Sequence, residues 1–266
     1  MWDTLMSWYR EPLFVVFALG GSAVSMVSFL LFAVPLTWIA AREPAWARPF
    51  RIQRRRGRPD MIWPSVRLWL VNNGLQLLSV VALWPLLRLT NIHMTGLPPW
   101  WEVLWQVVFF IYLDDFLYYW MHRTLHRPGL YERVHALHHR VGSPWAISAH
   151  YMHPVEYLMT AGLMLVGPAL VGAHVLTIFI WIAVRQWEAA EGHCGYDFPI
   201  TPSKLIPGSH GAAHHDFHHL RWQGNYGGFL PIHDRWAGTL ARGYADWVAR
   251  RRARGAATEQ RDDETP

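Results

Sequence analysis

Residues 12–41 hold thirty consecutive positions without a charged side chain. A membrane-spanning helix needs about 20 apolar residues, so this run suffices for one crossing. It exceeds a signal-peptide core, and its flank, MWDTLMSWYRE, is not a basic leader region. It reads as a retained span. Residues 68–87 are again uncharged and make a second. The loop 42–67 between them carries eight arginines against Glu43 and Asp60. By the bias of basic residues toward the inner face, that loop is cytoplasmic, and the turn NIHMTGLPPWW lies outside. A third span starts near Trp101 and returns through VLWQVVFFIYLDDFLYYWMH. Asp114 and Asp115 fall in its last turns, where a carboxylate is either functional, paired or solvated at the interface.

Composition agrees with a membrane protein. Charged residues make up 16% of the chain. Soluble domains carry about 25%. The single cysteine, Cys194, excludes an intrachain disulfide, a cysteine zinc ribbon and an iron–sulfur cluster. The net charge of +5 is concentrated beside an apolar span, which fits a juxtamembrane segment and not a nucleic-acid-binding face.

Residues 157–184 are uncharged as well. Gly162, Gly167, Pro168 and Gly172 offer a break, and two helices of about 14 residues would reach only about 21 Å. If the histidines on either side build one site, the segment must leave and return to one face, so a hairpin of partial depth is expected. Three regions follow: 1–100, spans with the basic loop; 101–240, the catalytic region; and 241–266, a charged tail expected to be disordered. No stretch shows sustained strand alternation. The expected fold is an all-α integral membrane protein. About three full spans and a partial-depth hairpin would carry a cytoplasmic helical cap with a dimetal site.

The 16 histidines cluster: seven lie between His122 and His153 and seven between His193 and His233. HRTLH supplies His122 and His126, HALHH supplies His135, His138 and His139, EGHCGYD supplies His193, and HHDFHH supplies His214, His215, His218 and His219. Residues three and four apart share a helix face, so these spacings aim imidazoles at common points. Imidazole is the commonest metal ligand, and eight to ten exceed what one ion can hold. Two ions in a helical interior fit the count, but ligand type does not choose among iron, zinc, copper and nickel. Metal-bound histidines usually donate their other N–H to a carboxylate or carbonyl. Asp115, two turns before His122, Asp216 inside HHDFHH and Glu188 before His193 are candidates for that role, whereas Glu191 reads as solvated. His153, just before Pro154, would be a ligand or a supporting contact. His150, His210 and His233 are open between structure and ligation.

The stretches DDFLYYWMHRTLH, VHALHH, HPVE, EGHCGYDFP, HHDFHHLRWQGNYG and HDRWAGT, in that order, resemble the fatty acid hydroxylase and sterol desaturase superfamily of membrane di-iron oxidases. The likeness is nearest to its sterol methyl oxidase and cholesterol hydroxylase branch. The resemblance implies a helical cap over membrane spans, two iron ions and dioxygen as co-substrate. It implies hydroxylation or desaturation of an unactivated C–H bond in a sterol-like, fatty acyl or other long apolar lipid. By motif it makes ligands of His122, His126, His135, His138, His139, His193, His215, His218 and His219, with His214 a tenth. Cys194 stands where the family often has serine, and Ile232-His233-Asp234 where a Trp-Asp pair is common. Zinc can replace iron in such purified proteins.

The chain has no dinucleotide fingerprint, haem-attachment motif or cysteine cluster, so electrons must come from a partner, such as a ferredoxin or a b-type cytochrome with its reductase. The lack of an obvious endoplasmic-reticulum retrieval signal points toward a bacterial inner membrane, with the site facing the cytoplasm. Two other classes remain to be separated. A metal transporter would place ligands at several depths. A zinc-dependent hydrolase would want an open coordination position and a base, as in HExxH, which is absent.

Overall fold

In the computed structural model, residues 2–55, 57–251 and 253 are described. They form helices and turns with no strand, and only two isolated bridges, Arg51 with Tyr196 and His93 with His174. We label the long helices α1 (Pro12–Arg42), α2 (Ile62–Leu87), α3 (Trp100–Leu125), α4 (Pro154–Val171), α5 (Val175–Gly192) and α6 (Ala212–Arg221).

α1 follows the uncharged run. Pro12 opens it, a π-turn at Val16–Gly20 interrupts it, and Glu43 closes it in the left-handed region. α2 begins at Ile62, earlier than the uncharged stretch, because Arg67 is carried within the helix. Among the described residues, three helices are long and apolar enough to cross a membrane: Pro12–Arg42, Pro59–Leu87 and Pro154–Val171. The expected third crossing differs. α3 is long enough by its 26 residues. Asp114 and Asp115 interrupt its apolar character, and it is not among the three.

The hairpin forms, with longer arms than the sequence suggested. α4 and α5 have 18 residues each. At the rise of an α-helix each arm reaches about 27 Å. That is close to the thickness of a hydrocarbon core, roughly 30 Å. Gly162, Gly167 and Pro168 lie inside α4 and do not break it. Gly167 serves close packing: a Cβ there would sit 2.6 Å from Phe110 Cδ1. The turn comes at Gly172, whose φ of 63° suits glycine. α5 then runs past the last uncharged residue to Gly192, because Arg185, Glu188 and Glu191 find partners inside the protein. The hairpin tip meets the α2–α3 connection, where Val175 N–H donates to His93 O at 2.9 Å.

Two apolar cores result. One centres on Phe17, Trp84, Phe110 and Trp181, and the other on Phe29, Trp69, Trp145 and Tyr196. The arginine-rich loop packs onto the second through Ile52 N–H to Gly195 O (2.9 Å) and Asp197 N–H to Phe50 O (2.8 Å). In the region expected as a disordered tail, residues 244–251 are helical, and Tyr244 and Trp247 rest on the Phe217 ring. Those aromatics give the segment an apolar face to bury. Residues 252 and 254–266 lie outside the described residues.

Candidate metal centre

Four segments deliver imidazoles to one interior point. The last turn of α3 carries His122, with His126 at its C-cap, a 3-10 turn spans His135–Arg140, His193 caps α5, and α6 carries His215, His218 and His219. α6 is buried from Ala212 to His219, and Trp222 stops it in the left-handed region at φ 62°, a rare conformation for a large side chain.

The nitrogens form two groups: His122, His126, His135, His139 and His218, and His138, His193, His215 and His219. Within each group the ligand atoms lie within 4.8 Å of one another. In the first, the Nε2–Nε2 separations are 3.1 Å for His122–His135, 3.0 Å for His135–His139, and 3.1 Å for both His139–His218 and His126–His218. In the second they are 3.2 Å for His138–His193, 3.1 Å for His193–His215, and 3.2 Å for both His193–His219 and His215–His219.

The His122–His135 contact is not an ordinary hydrogen bond. His122 Nδ1 donates to Tyr226 O at 2.8 Å and His135 Nδ1 to Glu156 Oε1 at 2.7 Å. His193 Nδ1 donates to Ala189 O at 2.8 Å and His218 Nδ1 to Gly224 O at 2.7 Å. Those bonds fix the proton on Nδ1 and leave Nε2 a bare acceptor. Acceptor facing acceptor is repulsive unless a cation lies between. Two nitrogens at right angles around an ion, each ~2.1 Å from it, sit about 3.0 Å apart. The observed spacing fits two coordination shells.

Protonation favours the same role. Burial, assisted by neighbouring imidazoles, holds His135, His138, His139, His215 and His219 well below the usual histidine range. It lowers His126 to about 2, His193 to about 4 and His218 to about 3. Neutral imidazole is the metal-binding form.

The other candidates fall elsewhere. His214 stands outside both groups: its Nε2 meets Asp234 Oδ2 at 3.2 Å. His153 caps α4, its Nδ1 accepting from Val155 N–H at 3.2 Å. Asp115 binds no histidine of the groups. Its Oδ1 accepts from the N–H of Gly228, Phe229 and Leu230 at 3.1, 2.7 and 3.2 Å, and its Oδ2 lies 3.3 Å from His233 Nε2. Asp216 accepts from Gln53 Nε2 at 2.8 Å, tying the basic loop to α6. Glu188 pairs with Arg185, which also meets Asp114 Oδ2 at 3.0 Å. His150 bonds Gln186 Oε1 at 2.8 Å, and His210 meets Arg235 at 2.9 Å. Glu191 accepts from Thr201 Oγ1 and Trp187 Nε1 and is buried, not solvated. Cys194 is buried, with Sγ on Tyr196 O at 3.0 Å.

Sequence reasoning missed Glu156, which holds His135, and the carbonyls of Gly224 and Tyr226. The glutamate was visible in HPVE, three residues after His153. The carbonyls had no side-chain signal, apart from the glycines of QGNYGG. Gly224 is needed there: φ is 81°, and a Cβ would sit 2.6 Å from Thr239 O.

Beside the second group opens a cavity of ≈ 60 Å³. His138, His193 and His215 face it from one side, with Tyr157 and Met164 of α4 and Gln76 of α2 on the other.

The fatty acid hydroxylase family matches residues 107–239, which contain both histidine groups. The chain belongs to that family. A methylsterol monooxygenase 2-2 of Arabidopsis thaliana is 31% identical over 91% of each chain. A very-long-chain aldehyde decarbonylase GL1-8 of Oryza sativa subsp. indica is 33% identical over 82% of this chain and 81% of its own. A C-4 methylsterol oxidase erg25 of Schizosaccharomyces pombe is 29% identical over 85% of this chain and 77% of its own. No solved structure matches. With three helices apolar enough to span a bilayer and the family's match, the chain is a membrane protein and an oxidoreductase of this family.

Proposed function

We propose that the chain is a membrane-bound, dioxygen-dependent oxidase that hydroxylates or desaturates an unactivated C–H position of an apolar lipid. The observation that carries this is the pair of adjoining groups, five and four imidazoles, with ring nitrogens converging in each. The first group would hold one iron ion and the second another. Such a pair supplies activation of dioxygen. The relatives named for methylsterols and for very-long-chain aldehydes support a long apolar substrate.

The protein's own residues do the rest. Glu156 and the carbonyls of Ala189, Gly224 and Tyr226 orient the imidazoles. Side chains of α2, α4 and α5 line the cavity beside the second group. A long apolar substrate would reach the centre laterally from the bilayer. The arginine-rich loop packs at the histidine end, so the same charge bias would place the site at the cytoplasmic face. There a ferredoxin or a b-type cytochrome can deliver electrons.

Compactness counts against a transporter, whose ligands would be strung through the depth of the membrane. Nine imidazoles in two shells also exceed what a one-zinc hydrolase needs.

The test is turnover by iron-loaded protein with a reductant, dioxygen and a panel of a methylsterol, a fatty acyl lipid and a long-chain aldehyde. The expected product has gained one oxygen or lost two hydrogens, and is absent with His135→Ala. No product from any of the three would overturn the proposal.

A further inference from the structure

The proposed oxidation consumes protons as well as electrons. R–H, dioxygen, two electrons from the external carrier and two protons give R–OH and one water. Eight of the nine imidazoles are buried, so those protons need a polar route through the protein.

Two cavities share a wall. The first is the one beside His138, His193 and His215. The second is lined by Glu191, Ser203, Ser209 and Gly211 and reaches the partly exposed loop at Ser209 and Gly211. Glu188 and His215 line both. Ser203 is 5% exposed and its Oγ has no hydrogen-bond partner among the described residues, the kind of group that an ordered water satisfies.

Glu188 makes no hydrogen bond to any of the nine imidazoles among the described residues; its Oε2 is on Arg185. Its Oε1 lies against Gly228, where a Cβ would come within 3.2 Å of it. The charged and titratable groups that face it are Asp114, Asp115 and Tyr118 from α3, Arg185 and Glu191 from its own helix, and His215 from α6. The loop 228–230 contributes none. Arg185 is held by two carboxylates, Asp114 and Glu188. One of them can therefore take up a proton while the other still neutralises the guanidinium.

We infer that Glu188 is a proton relay: it accepts a proton from water on the Ser203 side and releases it to water on the His215 side. The inference rests on the oxidase function proposed above. Glu188 returns to its starting state after each transfer, so atoms and charge balance.

The test is Glu188→Gln, whose amide oxygen still accepts from Arg185 but cannot carry a proton. The expected result is unchanged iron content and KM, a kcat lower by about 10²-fold, and a larger solvent isotope effect. Ser203→Ala should shift kcat the same way by less. A second readout needs no turnover. Infrared difference spectra of zinc-loaded protein between acidic and basic pH should show a carboxyl band that Glu188→Gln removes. This measurement separates failure of the relay from failure of the oxidase proposal. Glu188→Gln with wild-type kcat and pH profile, loss of metal from that variant, or no band assignable to Glu188 would each overturn the relay.

Discussion

His138 and His139 are neighbours in sequence but serve opposite halves of the centre. His138 Nε2 lies 3.2 Å from that of His193, and His139 Nε2 lies 3.0 Å from that of His135. The 3-10 turn His135–Arg140 divides them. His138→Ala should therefore empty the four-imidazole half and His139→Ala the five-imidazole half, each variant keeping about one metal of two. Metal analysis of the two variants reads this, and loss of both ions from each would show that the halves are not separable.

Glu156 orients His135 from 2.7 Å, and both side chains are buried. Partners of this kind typically contribute roughly 10–100-fold in metal affinity, so Glu156→Gln should weaken metal retention by about that factor. Competition with a chelator measures it, and wild-type affinity would remove Glu156 from the centre.

His214 and Asp234 meet at 3.2 Å outside both groups. Asp234 also accepts from Tyr226 N–H, Gly227 N–H and Thr239 Oγ1 at 2.9, 2.8 and 2.7 Å, bracing the segment that presents Tyr226 O to His122. His214→Ala should keep both metals while lowering the melting temperature. Asp234→Ala should cost about 1–3 kcal/mol for each buried donor that it leaves unsatisfied. Thermal unfolding beside metal analysis checks both, and loss of one metal from His214→Ala would make it a ligand.

The buried imidazoles set a pH response. His126, His193 and His218 have folded-state values of about 2, 4 and 3. An unfolded histidine titrates near ~6.5. As pH falls below ~6.5 the unfolded chain takes up protons that the folded chain does not. Stability of the metal-free protein should thus be full above that pH and fall progressively toward the folded values. Melting curves from about pH 7.5 to 5.5 should drop, and drop less with metal bound, since the metal engages the same lone pairs. A flat metal-free curve would mean that these imidazoles are not depressed.

Much of this was legible in the residues. The uncharged run 12–41 marked α1 to within a residue or two, and the histidine spacings, with the lone His193 added by the family resemblance, named the members of the two groups. Three things were not legible. HALHH reads as one helical face, but a 3-10 turn sends His138 and His139 apart, and only tertiary packing decides that. HHDFHH offers four equivalent imidazoles, and the position of Asp234, twenty residues on, turns His214 away. Gly167 looks like a helix breaker, yet it sits inside α4 because Phe110 needs the room.

Counting metal in protein purified without oxygen from iron-replete cells is the decisive test of two coordination shells. About two irons per chain, falling to about one in His138→Ala and in His139→Ala, is the expected result. A chain that retains no tightly held metal under those conditions would contradict it.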